Sequence, residues 1–463
     1  MPEFGGRPAL NAGASKLGNH TQDMTTGAPW KGICLFALPV FAGLFLQQLY
    51  NTVGSIIVGN YAGEQALAAV GTVGCLVMLF LAVANGFSAG AGIVVAQEFG
   101  AKNRDEMRHA ASTSLILQGI LMLVCAVLAC IICRPVLTSV MGLEGNILSL
   151  AETYFYIYCI GFPFQFGYNI VAGILRGIGD SRATLYFLII ASVVNIGLNI
   201  LFVGAWNWGV VGSALATDIA QAVSFAASWI YMRRVYPEFR FERRDLHFDR
   251  LLALRIMTTG YPMALQQIIV SLGFILIQRA VISYGQAMLA SYTVTQRLEP
   301  YLFMPASAFQ ITMATYTGQN VGARRLDRIR LGTRQMIAMV AVVSLLVVAT
   351  FLYFEPELIR WFGISDEAFD YCMAHLRTTA LAIILLDMYF PVFGVYQGAR
   401  HALVPTFTAL TVLCIRVLSV YTLCNIPALD YRIIWFNQPI GFAFGIVITW
   451  IYYFRGKWAK SIE

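Results

Sequence analysis

The stretch Gln97 to Arg108, QEFGAKNRDEMR, is written a second time at Gln319 to Arg330 as QNVGARRLDRIR, and this duplication constrains the fold more than any other feature. The copies align without a gap at an offset of 222 residues, and each follows an apolar run, Ala66 to Ala96 or Met288 to Tyr316. Roughly 20 apolar residues span the hydrocarbon of a bilayer as a helix, so both runs are long enough to cross it. The motif reads as a polar, basic exit from a membrane helix. Pro39 and Pro262, Gly173 and Gly394, and Gly177 and Gly398 keep nearly the same spacing. The chain is two copies of one unit.

A chain of 463 residues that is 58% hydrophobic and only 12% charged lacks the polar surface to cover a soluble core. Its long unbroken runs predict helices, which satisfy their own backbone hydrogen bonds away from water, rather than the shorter alternating strands of a barrel. The expected fold is an all-α integral membrane protein, with twelve transmembrane helices in two six-helix lobes related by a pseudo-two-fold axis along the membrane normal. Spans are expected near 30–58, 66–98, 108–133, 147–172, 182–204 and 208–233, then 254–284, 288–318, 332–354, 369–397, 402–425 and 432–454. Six spans separate the two copies, so both enter the membrane in the same direction, as a parallel repeat. The expected division is a disordered tail (1–28), an amino lobe (29–235), a cytoplasmic linker (236–250) and a carboxyl lobe (251–463).

Lys and Arg concentrate in one set of loops, among them Lys102, Arg104, Arg176, Arg324 and Arg400, whereas the opposite set holds Arg134, Arg360 and Arg432. Positive loops stay inside, so both termini are expected in the cytoplasm and the net charge of +7 follows from topology rather than from a nucleic-acid partner. The nine cysteines sit almost all within apolar runs, at no spacing that suggests a metal or a disulfide framework.

Several motifs in order carry a resemblance: LPVFAGLFLQQLYNTVGSIIVG (Leu38 to Gly59), VAQEFGAKN (Val95 to Asn103), GILRGIGDSR (Gly173 to Arg182), VGSALATDIAQ (Val211 to Gln221) and GQNVGAR (Gly318 to Arg324). The chain resembles the multidrug and toxic compound extrusion (MATE) family, within the multidrug/oligosaccharidyl-lipid/polysaccharide exporter superfamily. The resemblance implies a secondary active antiporter of the cell membrane. It would export amphipathic, often cationic organic molecules against H⁺ or Na⁺ entry by alternating access, with no cofactor beyond the coupling ion. Small organic molecules and the bilayer are the implied partners, and the chain is expected to work as a monomer. Two departures stand out. Where the family commonly has Asn-x-Val-Asp in the first helix, this chain has Gly54, and where it has Asn-x-x-x-Asp in the fifth, this chain has Asn195 and Asn199.

Ionisable groups deep in a bilayer are costly, and each is a functional candidate. Asp218, beside Thr217 in the sixth span, either couples cation movement together with Asn195, Asn199 and Thr217 or serves a polar helix contact. Asp387 and Arg416 lie at comparable depth in the tenth and eleventh spans and are expected to pair, as a structural lock or a switch. Arg297 and Glu299 are two residues apart, so they face different directions and bond other helices or a substrate. Gln47, Gln48 and Asn51 in the first helix, with Gln266 and Gln267 in its repeat counterpart, put amides beside Pro39 and Pro262, for a substrate or for interhelical bonds. Tyr154, Phe155, Tyr156, Phe162, Phe164, Phe166 and Tyr168 offer rings to a flat cation or simply pack.

An intramembrane enzyme would need a His-Glu-x-x-His or Asp-rich motif, and the sequence has neither, so no catalytic residue is expected. A lipid-linked oligosaccharide flippase of the same superfamily is the nearer alternative. Such proteins usually carry a strongly cationic cavity, for which Arg297 and Arg416 alone stand here.

Overall fold

The computed structural model describes residues 21–460 apart from 142, 242–246, 283 and 425–431. They form fourteen α-helices: α1 (Pro29–Ala62), α2 (Glu64–Gly100), α3 (Arg104–Pro135), α4 (Gly145–Ile160), α5 (Phe162–Gly177), α6 (Ser181–Asn199), α7 (Gly209–Val235), α8 (Arg250–Ile282), α9 (Gln286–Gly322), α10 (Leu326–Arg360), α11 (Asp366–Asp387), α12 (Phe390–Gly398), α13 (Leu403–Leu423) and α14 (Ile433–Phe454). The helices make twelve spans. One is broken at Gly161, where α4 and α5 meet at 50°, and another is interrupted at Met388 and Tyr389, between α11 and α12. Helix α9 is long enough to cross the bilayer but less apolar than the others, because it carries Gln296, Arg297, Glu299 and Gln310 along its 37 residues.

The repeat is visible in the backbone. Gly63 and Gly285 open α2 and α9 with φ of 87° and 96°, and Lys102 and Arg324 follow those helices with φ of 59° and 55°. The left-handed region is disfavoured for side chains by about 1–2 kcal/mol, so two basic residues held there at repeat-related positions mark the same turn made twice. Asp249 accepts from the N–H groups of Leu252 and Leu251 at the start of α8, and these bonds hold its carboxyl below the usual carboxylate range.

The lobes exchange parts of their first helices. Ile33, Phe36, Ala37 and Val40 of α1 pack in the apolar core built by α9–α12, while Val58, further along α1, packs with α2 and α4. Conversely, Leu252 and Ile256 of α8 pack in the core of the amino lobe, while Ile277 and Val281 pack with Met288 and Trp435 of the carboxyl lobe. Pro39 and Pro262 lie inside these two crossing helices, where proline frees a carbonyl and permits a bend.

Glycines let the lobes touch backbone to backbone at the basic end. A Cβ at Gly90 would lie 2.7 Å from Gly260 Cα, and Cβ atoms at Gly86, Gly100 and Gly322 would strike Ala264, the Gln319 carbonyl and the Gln97 carbonyl. Toward the other end Gly54, Gly71 and Gly74 have nothing within 4 Å of where a Cβ would stand. At 1.5 Å per residue, Gly86 to Gly100 is roughly 20 Å of close contact. Beyond it the lobes meet through side chains, with Phe45 and Thr52 against Tyr301.

The tail expected to be disordered is in part ordered. Met1 to His20 lie outside the described residues, but Thr21 to Ala28 run along the seam between the lobes, with Met24 only 1% exposed. Arg328 donates to the carbonyls of Gly27 (2.9 Å), Thr26 (3.0 Å) and Met24 (3.2 Å). The segment orders because a guanidinium and a buried methionine hold it, which residue-by-residue polarity does not reveal. Tyr236, Phe239 and Phe241, within the expected linker, are likewise buried against the amino lobe.

Candidate functional site

The duplicated motif closes the seam with two related hydrogen-bond sets. Gln97 Nε2 donates to the Gly398 carbonyl (2.8 Å), and Gln319 Nε2 donates to the Gly177 carbonyl (3.1 Å), so each glutamine reaches the other lobe. The glutamine oxygens are served differently. Arg400 Nε donates to Gln97 Oε1 (2.7 Å), whereas the N–H of Met24 donates to Gln319 Oε1 (2.9 Å). Gly179 stands in the repeat where Arg400 stands, and the backbone of Gln22 fills the space a side chain there would need. The ordered tail thus takes the place of the missing arginine. Arg255 and Glu98 add an ion pair at 3.0 Å between α8 and α2.

In the amino lobe α6 and α7 bring together three of the four residues expected to hold a cation. Asn195 Nδ2 donates to Thr217 Oγ1 (3.3 Å), and Asn199 Nδ2 donates to the carbonyl and Oδ1 of Asn195 (2.9 and 3.1 Å). Asn199 Oδ1, on a side chain 1% exposed, receives no donor. A π-helical turn, Ile200–Ala205, begins immediately after it. Buried acceptors are nearly always satisfied, so an open one between two helices is suited to a cation.

Asp218 does not join that group. Successive helix residues are rotated by roughly 100°, so Asp218 points away from its neighbour Thr217. Its carboxylate meets Gly161 at the α4–α5 break, with Tyr154 and Tyr158 in electrostatic reach, and Tyr50 lies in turn near those two tyrosines. Tyr154 and Tyr158 stack at 6.2 Å, and Tyr158 donates to Gln165 Oε1 (2.9 Å). Gln47 bonds Tyr50 and is exposed. One expected site is therefore two adjoining ones, and Tyr50 is a member the sequence reading missed.

In the carboxyl lobe the expected Asp387–Arg416 pair is not formed. Neither Asp387 oxygen has a hydrogen-bond partner, its neighbour is Ser344 of α10, and it ends α11 at the helix break. Arg416 Nε instead donates to Asn437 Oδ1 (2.8 Å), with its guanidinium 5.9 Å from the Phe442 ring centre. Equal depth brought the two residues to one level, but they leave their helices in different directions. Gln438 Nε2 bonds Glu299 Oε1, and Glu299 and Arg416 lie in each other's field. His375 stacks on Tyr292 at 5.9 Å with its Nε2 unpartnered. The adjacent amides Asn437 and Gln438, conspicuous in an apolar helix, were a legible signal that went unused.

Of the remaining candidates, Gln47, Asn51, Gln267 and Arg297 are exposed and Gln48 is half-buried. Gln266 is buried and accepts from Gln397 Nε2 (3.3 Å), an interhelical bond of the ordinary kind. Phe155, Phe162 and Phe166 are core residues, Tyr154 and Tyr168 are buried beneath them, and Tyr156 and Phe164 are exposed. Thr52 and Tyr301 hydroxyls meet at 3.2 Å across the lobes. Among the described residues no three His, Cys, Asp or Glu side chains converge as metal ligands.

Comparison with known proteins follows the same lines. The pattern of a family described as MatE matches residues 39–201 and 262–422, once in each lobe. The chain is 27% identical to the probable multidrug resistance protein YoeA of Bacillus subtilis, over 95% of this chain and 96% of that one. It is 22% identical to the multidrug export protein MepA of Staphylococcus saprophyticus, over 82% and 84% of the respective chains. A solved outward-facing multidrug resistance MATE family transporter of the MOP superfamily has the same fold, with a TM-score of 0.90 at 24% identity over 96% of this chain and 99% of that one.

Proposed function

The chain belongs to the MatE family, and on that premise we propose that it is a multidrug efflux antiporter, exporting amphipathic, often cationic organic compounds in exchange for H⁺ or Na⁺. The observation that carries the reading is that the lobes touch backbone to backbone along one half of the membrane, whereas nearer the other end they meet through side chains, Phe45 and Thr52 against Tyr301. Such a molecule alternates access by rocking. The basic end is the cytoplasmic one, both termini lie there, and the conformation is closed to the cytoplasm. The protein works in the cell membrane as a single copy.

Asp218 is the coupling acid. Among the described residues it is the one buried carboxylate of the amino lobe away from the span ends, no cation pairs with it, and it faces the break between α4 and α5. Loading an ion removes a charge from that break, and the cost of a bare buried carboxylate then changes with the state of the lobe. Asn199 Oδ1, Asn195 and Thr217 supply neutral oxygens beside it, suited to Na⁺. The exposed amides and Arg297 line the substrate's way through the cleft.

The test is ethidium transport into proteoliposomes under separately imposed Na⁺ and pH gradients. Uptake should follow one or both gradients. Uptake that depends on neither would overturn antiport. Membrane-impermeant maleimide applied to cells should label a cysteine at Glu357 but not one at Lys102, in a cysteine-free background, and the opposite pattern would reverse the orientation.

A further inference from the structure

The repeat places Arg416 opposite Asn195, at an offset of 221, and the same offset places Gln438 opposite Thr217. The polar contact between the last two spans is therefore made from the same repeat position on α6 and α13 but from neighbouring positions on α7 and α14, Asn437 standing opposite Ala216. In the amino lobe it is Asn195 to Thr217, with the open oxygen of Asn199 beside it. In the carboxyl lobe it is Arg416 to Asn437, with Gln438 holding Glu299. Gly441 makes the exchange possible: a Cβ there would lie 2.6 Å from Arg416 Cγ, so the arginine stem lies flat on α14 where the amino lobe has Ala220.

We propose that the Arg416 guanidinium is a tethered cation, filling the carboxyl lobe's counterpart of the amino lobe's polar site so that this position takes no ion from solution. The inference rests on the amino-lobe reading above for its meaning in transport, though its own test does not. Arginine does not lose its proton in proteins, so a guanidinium inside a span requires an anion. Glu299 is the carboxylate in its field, joined to it through the adjacent amides of α14. The other titratable groups around the pair are Tyr292 on α9, His375 on α11 and Tyr389 at the α11–α12 break, while Asp387 faces Ser344. A carboxylate that loses its buried partner neutralises itself by taking up a proton or an ion.

Arg416→Asn gives the carboxyl lobe the residue that the amino lobe has at this place. Purified protein in detergent can be assayed by ²²Na⁺ binding and by potentiometric titration between pH 6 and pH 9. The expected result is a gain of one Na⁺ or one titrating proton per molecule, absent from Arg416→Asn/Glu299→Gln. Arg416→Lys should keep the parental count, and Glu299→Gln alone should leave it unchanged. A folded Arg416→Asn protein with the parental count overturns the proposal, and so does a count that persists in the double variant, which would place the proton on His375. Should Arg416→Asn not fold, Glu299→Gln decides: a lost ion or proton in that variant means that Glu299 already exchanges with solution. If coupling through Asp218 is wrong, Asp218→Asn will leave transport intact while these counts still stand or fall by themselves.

Discussion

The amino lobe and the carboxyl lobe are built on one plan and differ in how they treat buried charge. In the amino lobe, Asp218 stands beside Tyr154 and Tyr158 at a helix break, and among the described residues no cation pairs with it. In the carboxyl lobe, Glu299 shares its surroundings with Arg416, and amides join the two. A charge without a counter-charge inside a membrane has a strong reason to acquire one, whereas a compensated charge has none. Duplication made the two scaffolds alike, and on the reading proposed here a few side chains then divided the work at the contact of each lobe's last two spans, left open to an ion in one and supplied from within in the other, with Asp387 a second, uncompensated acid in the carboxyl lobe.

The sharpest way to break this comparison is to remove the two acids in turn. Asp218→Asn should lower gradient-driven efflux of ethidium at least tenfold in proteoliposomes, with substrate binding largely kept, and adding Asn199→Asp to that variant should return part of the transport. Parental transport by Asp218→Asn would move coupling to Asp387, the uncompensated acid of the other lobe.

The seam offers a second test, because its two glutamines are equivalent by repeat but not by partner. Gln97→Leu strands the Arg400 donor and Gln319→Leu strands the Met24 N–H, each costing about 1–3 kcal/mol, more where the donor is charged. Spin labels at Lys102 and Arg324 should report a loss of the short inter-lobe distance by roughly 5- to 150-fold in population, larger for Gln97→Leu. Equal shifts would mean that the ordered tail holds its glutamine as firmly as an arginine does.

The smallest effect concerns Asp387 and Arg416. Because the two side chains form no bond, losses of folded protein in Asp387→Asn and Arg416→Met should add within about 0.5 kcal/mol in a double-mutant cycle. A coupling energy well above that would show that they meet in another state of the cycle.

Much of this architecture was legible in the sequence. Twelve apolar runs and a duplicated motif specify spans and lobes, because the bilayer leaves the backbone few choices. What the sequence did not yield is direction around a helix axis. Depth placed Asp387 level with Arg416, and adjacency placed Asp218 with Thr217, yet in each case the side chains leave in different directions. The break at Gly161 was hidden too, since glycine is common inside membrane helices. Met24 was hidden for another reason. A lone methionine in a polar tail carries no periodicity, and its place depends on Gln319 and Arg328, some 300 residues away.

The crossing of α1 and α8 has a consequence for how the protein is made. Synthesis delivers the amino lobe first, and domains ordinarily fold as they emerge. Here the amino lobe's core waits for Leu252 and Ile256, which arrive only with the seventh span, while Ile33 and Phe36 remain without their apolar partners until α9–α12 have been inserted. The first helix to enter the membrane is thus among the last to be fully packed. A chain cut between the lobes should leave each half exposing apolar faces that only the other can cover, so the halves would have to be produced together to assemble.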